Sequence, residues 1–178
     1  MKQGSFFPKN IKDKGFTLIE LLVVISIIGL LSTLGMVALG SARERSRDAK
    51  RVADIFEVRN ALEMYYVENS SYPETSDWLT LGSLDSATQC LDLTSGWNTF
   101  ATCDSARLTM GTVPFDPMSG TFDYNYVSLD TFDDDCYVIA FYIENGAGEL
   151  DGPGWWYIDP DSRSQSLDTL CASGITGF

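Results

Sequence analysis

Between Phe16 and Leu39 the chain reads FTLIELLVVISIIGLLSTLGMVAL, an apolar run broken by one charge, Glu20. A helix needs about 20 apolar residues to cross a bilayer, so this run is long enough to span. Gly29 and Gly35 lower helix propensity, but lipid tolerates them. The run also exceeds the ~7–15 residues of a secretory signal's apolar region. A helix that is apolar on every face must be covered by lipid or by other helices. A plain anchor leaves Glu20 unexplained. An acid inside such a segment costs up to ~3 kcal/mol at mid-bilayer and implies a functional residue with a partner.

Charge is segregated along the rest of the chain. There are 12 Lys+Arg against 25 Asp+Glu, a formal charge of −13, and no histidine. That acidity excludes non-specific nucleic-acid binding. The missing histidine removes the commonest general base, Ser-His and Cys-His nucleophile pairs, and histidine-ligated zinc. Lys2, Lys9, Lys12 and Lys14 precede the apolar run, and Arg43, Arg45, Arg47, Lys50, Arg51 and Arg59 follow it. From Ala61 onward there are 19 acids and two bases, Arg107 and Arg163. The organisation therefore reads as a basic leader (1–15), an apolar assembly helix (16–40), an amphipathic continuation (41–71) and an acidic extracytoplasmic head (72–178).

Lys14-Gly15-Phe16-Thr17-Leu18-Ile19-Glu20, followed by the apolar run, resembles the cleavage and methylation signal of type IV prepilins and type II secretion pseudoprepilins. The resemblance implies that a prepilin peptidase cuts after Gly15 and methylates the new amino terminus at Phe16. Thr17 and Glu20 then become assembly residues, Glu20 being the fifth of the mature chain. An α-amino group has an unperturbed pKa of ~7.7–8.0 and is largely cationic at neutral pH. Buried charges persist when paired, so Glu20 of one subunit is expected to meet the Phe16 amine of another. The partners implied are copies of the chain itself, membrane lipid before assembly, and an inner-membrane platform with its ATPase. The implied location is the bacterial inner membrane as a single-pass precursor, then a cell-surface or periplasmic filament.

Ala42 to Asn69 contains no proline or glycine. Ala49, Val52, Ile55, Phe56, Leu62, Tyr65 and Tyr66 recur at three- and four-residue steps, which predicts an amphipathic helix with that stripe inward. Asn69-Ser70-Ser71-Tyr72-Pro73 ends it. Asn60 to Tyr66 with Tyr72-Pro73 also resembles the helix end and first loop of pilins and major pseudopilins. Trp78 to Met110 reads as a loop with short pieces of structure. Strands are predicted at Phe122–Leu129, which alternates, at the β-rich run Cys136–Ile143, and at Trp155–Ile158. The links Asp130–Asp135 and Asp159-Pro160 bound them. The fold class expected is α+β: one long N-terminal helix packed on a small antiparallel sheet, pilin-like.

Cys90, Cys103, Cys136 and Cys171 all fall in the head and contain no C-x-x-C pair, so disulfides are expected rather than zinc. Three pairings are open. Cys90–Cys103 and Cys136–Cys171 join sequence neighbours, and the second would tie down the C-terminal tail, as in many pilins. Glu144, Asn145, Glu149 and Asp151 in a glycine-rich loop are weak calcium candidates, since calcium takes six to eight oxygens. Major pseudopilins carry a calcium loop in a comparable region. Trp155-Trp156 could stack on a sugar, and Asn69-Ser70-Ser71 has the form of a glycosylation sequon. Arg43, Arg45, Arg47, Lys50 and Arg51 form a basic collar, expected to contact headgroups and then the acidic heads of neighbouring subunits.

The function expected is a non-enzymatic structural subunit of a type IV pilus-like filament. The alternative within the family is the major pseudopilin of a type II secretion system. The alternative from another class is a membrane-anchored extracytoplasmic binding domain.

Overall fold

The computed structural model describes residues 15–82, 88–128, 136–160 and 163–164. The leader lysines, the Asp130–Asp135 link and Cys171 lie outside the described residues. The chain divides into two compact units, Met1–Gly40 and Ser41–Phe178.

One helix, α1, spans Leu18–Asn69. In the first unit its side chains face outward all round. Leu18, Ile19, Leu21, Leu22, Val23, Val24, Ile25, Ile27 and Ile28 are each 46% or more exposed. Mean hydropathy reaches 2.5 over an 18-residue window, so the helix is long and apolar enough to cross a membrane. Buried Leu and Ile side chains are worth about 1.5–3 kcal/mol each, so a surface of this kind is stable only under lipid or neighbouring helices.

In the second unit α1 ends at Ser70, whose φ of 57° is left-handed. Its amide donates to the Tyr66 carbonyl at 2.8 Å. Asn69 Nδ2 donates to the Tyr65 and Leu93 carbonyls, both at 3.2 Å. This closes the last turn as an αL cap does. Pro73 follows, and the chain then lays down ten short strands.

The strands are β1 (Leu79–Thr80), β2 (Cys90–Asp92), β3 (Gly96–Asn98), β4 (Leu108–Met110), β5 (Asn125–Val127), β6 (Val138–Ile143), β7 (Gly146–Ala147), β8 (Leu150–Asp151), β9 (Gly154–Ile158) and β10 (Arg163–Ser164). The main sheet is antiparallel, in the order β1-β5-β6-β9-β10. Its centre is β6, with Phe141 opposite Trp156 and Ile143 opposite Gly154. Tyr126, Ile139, Phe141, Ile143 and Ile158 form one cluster with Ile55, Val58 and Leu62 of α1. The α+β class and the antiparallel sheet on the helix are thus as the sequence predicted.

Two details differ. The inward stripe of α1 keeps Val52, Ile55, Leu62, Tyr65 and Tyr66 in or against the core and adds the buried Asp48, Arg51 and Val58, whereas Ala49 and Phe56 are exposed. The reason is that two charged residues occupy core positions. The segment Trp78–Met110 is also more ordered than a loop, since β3-β2-β4 form a second antiparallel sheet. The Cys90–Cys103 disulfide closes it, with Cα atoms 6.5 Å apart. The Asp92 carboxylate organises its turn, accepting from the Thr94 and Ser95 amides at 2.9 and 2.8 Å and from Asn98 Nδ2 at 3.2 Å. Gly82 joins this sheet to the rest. Its φ is +71°, and a Cβ there would lie 2.2 Å from the Pro114 carbonyl oxygen. Only glycine accepts both conditions.

Candidate processing and assembly sites

Gly15, Phe16 and Thr17 precede the helix in non-helical conformation, and Phe16 is 81% exposed. Thr17 is the N-cap. Its Oγ1 accepts from the Glu20 amide at 3.3 Å. Glu20 Oε2 in turn accepts from the Thr17 amide at 3.4 Å and from Thr17 Oγ1 at 3.2 Å. This is a capping box, in which two amides that lack intrahelical partners are satisfied reciprocally. The Thr-x-x-Glu spacing carries that signal in the sequence. Glu20 therefore has a local role at the helix start in addition to any role between subunits. A carboxylate at a helix N-terminus also lies favourably in the helix dipole.

The collar residues divide. Arg43 and Arg45 are exposed. Lys50 pairs with Asp54 at 2.9 Å and lies 5.7 Å from the centre of the Phe115 ring. Arg51 points inward and is fully buried. It grips Asp116 with two bonds, Nε to Oδ2 at 2.6 Å and Nη2 to Oδ1 at 3.0 Å. Its Nη1 donates to Asp48 Oδ1 at 3.0 Å and to Glu144 Oε1 at 2.6 Å. Arg47 Nε donates to Glu144 Oε1 at 2.7 Å, and its Nη2 donates to Glu144 Oε2.

Asp48 completes the cluster from the helix side, accepting from the amides of Glu144, Asn145 and Gly146 at 2.9, 2.8 and 3.2 Å. The turn after β6 is thereby bolted to α1. Of the expected outward collar, Arg51 turns fully inward and Arg47 partly so, whereas Lys50 stays exposed and pairs along its own helix. The carboxylates of Asp116 and Glu144 reach the two arginines from 65 and 93 or more residues away.

The electrostatics follow from this packing. Burial works against the Arg51 charge, but the bonds from Asp116 and Glu144 outweigh it and hold the guanidinium protonated. The Arg47 hydrogen bond, with help from Arg51 and against the cost of burial, holds the Glu144 carboxyl down to about 2. Among the expected calcium ligands, Glu144 thus serves two arginines. Asn145 Nδ2 donates to Glu44 at 3.2 Å, and Asp151 is exposed. Among the described residues no group of three or more carboxylate or cysteine ligands gathers in one place. Trp155 stands in a row with Tyr142, at 5.7 Å between ring centres, and Tyr142 stacks on Phe122 at 4.1 Å. Trp156 packs against the core cluster.

At the far end of α1, Tyr72 is buried between Tyr66 and Tyr137, with ring centres 4.9 and 4.6 Å away. The Pro73 carbonyl accepts from Tyr126 Oη at 2.8 Å. The Tyr-Pro pair after the helix is therefore the seam between helix, first loop and sheet.

Residues 10–39 match the model of the prokaryotic N-terminal methylation motif. Over this N-terminal part the chain is similar to pilins and pseudopilins. It is similar to the type II secretion system core protein G of Pectobacterium carotovorum, 38% identical over 77 residues, which cover 43% of this chain and 49% of that protein. Core protein G of Escherichia coli K12 is 44% identical over 68 residues, covering 38% and 47% of the two chains. The type IV wide pilus major component PilA4 of Thermus thermophilus is 44% identical over 71 residues, covering 40% and 53%. The chain thus spans about half the length of the curated relatives it matches. No solved structure matches it significantly. The matched range contains Gly15, Phe16, Thr17 and Glu20. Cys136 is buried and is not a free thiol; Cys171, its expected partner, lies outside the described residues.

Proposed function

We propose that the chain is a structural subunit of a pilin-like filament, made as a membrane-anchored precursor, cut after Gly15 by a prepilin peptidase and polymerised through α1. The observation that carries this reading is the conjunction at the N-terminus. A Gly-Phe junction and a Thr-x-x-Glu cap open a helix whose apolar residues are exposed on every side. Such a helix is metastable in water. It rests in lipid as a precursor and exchanges lipid for the helices of other copies on assembly. An inner-membrane platform and a cytoplasmic ATPase would drive that exchange. The chemistry is self-association, and no catalytic group is required of the subunit.

A second reading within the family is the major pseudopilin of a type II secretion system. The relatives named core protein G support it, as does the Tyr66–Tyr72–Pro73 seam.

Co-expression with a prepilin peptidase followed by mass spectrometry tests the proposal. The mature chain is expected to begin at Phe16 with one N-methyl group. A chain beginning at Ser41, as after signal-peptide removal, or one left uncut, would refute it.

A further inference from the structure

The head carries an apolar cavity of about 250 Å³ beside the end of α1, lined by Met64, Val67, Glu68, Leu93, Leu108 and Thr109. Met64, Val67 and Leu108 are 55%, 78% and 39% exposed, so the lining faces solvent in the isolated chain. The flanking strand β4 is an edge of its sheet. Glu68 is exposed at the rim. An apolar floor with one acid at its edge fits a partner that brings a cation together with small or apolar side chains.

The same chain offers such a strip. Ala42, Arg45 and Ala49 recur at three- and four-residue steps on α1, and all three are exposed. Arg45 makes no ion pair among the described residues. The two alanines let another surface approach the helix closely, and Arg45 stands between them.

Geometry separates Arg45 from its neighbour Arg43. At about 100° per residue, Arg45 and Glu68 point roughly 140° apart around the helix axis, whereas Arg43 points within roughly 20° of Glu68. A contact between different flanks is heterologous and repeats without closing. Between antiparallel copies a contact of like flanks makes a closed pair. Arg45, flanked by two exposed alanines, is placed to meet a copy lying on a different flank.

We infer that the Met64–Val67–Leu108 cavity of one copy receives the Ala42–Arg45–Ala49 strip of another, with Arg45 paired to Glu68. This rests on the filament reading and adds a stagger to it. With parallel helices the two copies are offset by 23 residues, about 35 Å at the standard helical rise. The strip also explains why the collar keeps two of its arginines outside the buried cluster: one of them is the plug of the next subunit's cavity.

Charge reversal in the full chain, co-expressed with its assembly machinery, tests the pairing. Arg45→Glu and Glu68→Arg are each expected to lower the yield of sedimentable filament by roughly five-fold or more, with cleavage at Gly15 unchanged. The combined variant is expected to recover most of the wild-type yield. Copies bearing Arg45→Cys mixed with copies bearing Glu68→Cys should form a cross-linked dimer that neither variant forms alone. A combined variant no better than the single ones, or full yield from Glu68→Arg, overturns the pairing. If wild-type chain is processed but never polymerises, the filament reading falls and the pairing with it. If filaments form and the cysteine copies do not cross-link, the pairing alone falls.

Discussion

Arg51→Met should be among the most damaging single substitutions in the head. The side chain is fully buried, and it neutralises Asp116 and Asp48, which are also fully buried, together with Glu144. Methionine keeps an unbranched apolar stem but is shorter and carries no charge. Asp48 keeps its three backbone donors, and Glu144 keeps Arg47. Asp116 loses both guanidinium bonds and retains the Met118 amide at 2.7 Å. Removing one partner of a buried ion pair typically costs ~3–5 kcal/mol. For a domain with ~5–15 kcal/mol of total stability this is a large fraction. With a urea slope of ~2 kcal/mol per molar, the midpoint of the Ser41–Phe178 unit should fall by about 1.5–2.5 M. Equilibrium urea unfolding at neutral pH, followed by tryptophan fluorescence, measures this. Adding Asp116→Asn to Arg51→Met should restore part of the loss, because the orphaned charge is then gone. A midpoint within about 0.3 M of wild type for Arg51→Met would refute the claim that this cluster anchors the helix.

Acid should act on the same cluster. Glu144 titrates lower in the folded chain than in the unfolded one, so its contribution is complete above about pH 4.5 and is lost as the pH falls toward 2. Glu144→Gln should flatten that limb of a stability-against-pH curve, and an unchanged limb would contradict it. Glu20→Val is expected to leave cleavage intact and to abolish efficient assembly; normal filament yield would dismiss the role. Replacing Cys90 and Cys103 together by serine should lower head stability by about 3 kcal/mol, read as a lower thermal midpoint, for a separation of 13 residues. Millimolar calcium and chelator are expected to give the same midpoint, because both Glu144 oxygens already bond arginine. A rise with calcium would assign the β6–β8 loops to the ion instead.

Much of the fold was legible because periodicity survives in long elements. The apolar run, its proline-bounded end and the β-rich stretch Cys136–Ile143 each carry a clear period or composition. The strands of the second sheet are three residues long, too short for alternation to register, and they are ordered by Asp92 and a disulfide. The stripe on α1 held for Val52, Ile55, Leu62, Tyr65 and Tyr66 but missed its charged members for a different reason. A pattern of apolar residues does not mark Asp48 and Arg51 as core, and their partners lie on the turn after β6 and on the Asp116 turn. Only the tertiary fold turns an apparent solvated collar into a buried cluster. Thr17 and Glu20 were legible as a pair, since Thr-x-x-Glu ahead of an apolar helix is a start signal in its own right.

The two seams that hold the head to α1 differ in kind, and this has a mechanical consequence. At one level the grip is ionic, Asp48 and Arg51 against the turn after β6 and Asp116. At the other it is a stack of tyrosine rings around Tyr72. The hydrogen bonds of the ionic grip are directional and lose their alignment over a small displacement, whereas packed rings can slide and keep contact. A head pulled along its rod should therefore let go first at the collar end and swing about the tyrosine seam. Acid would lower the force at which that release begins.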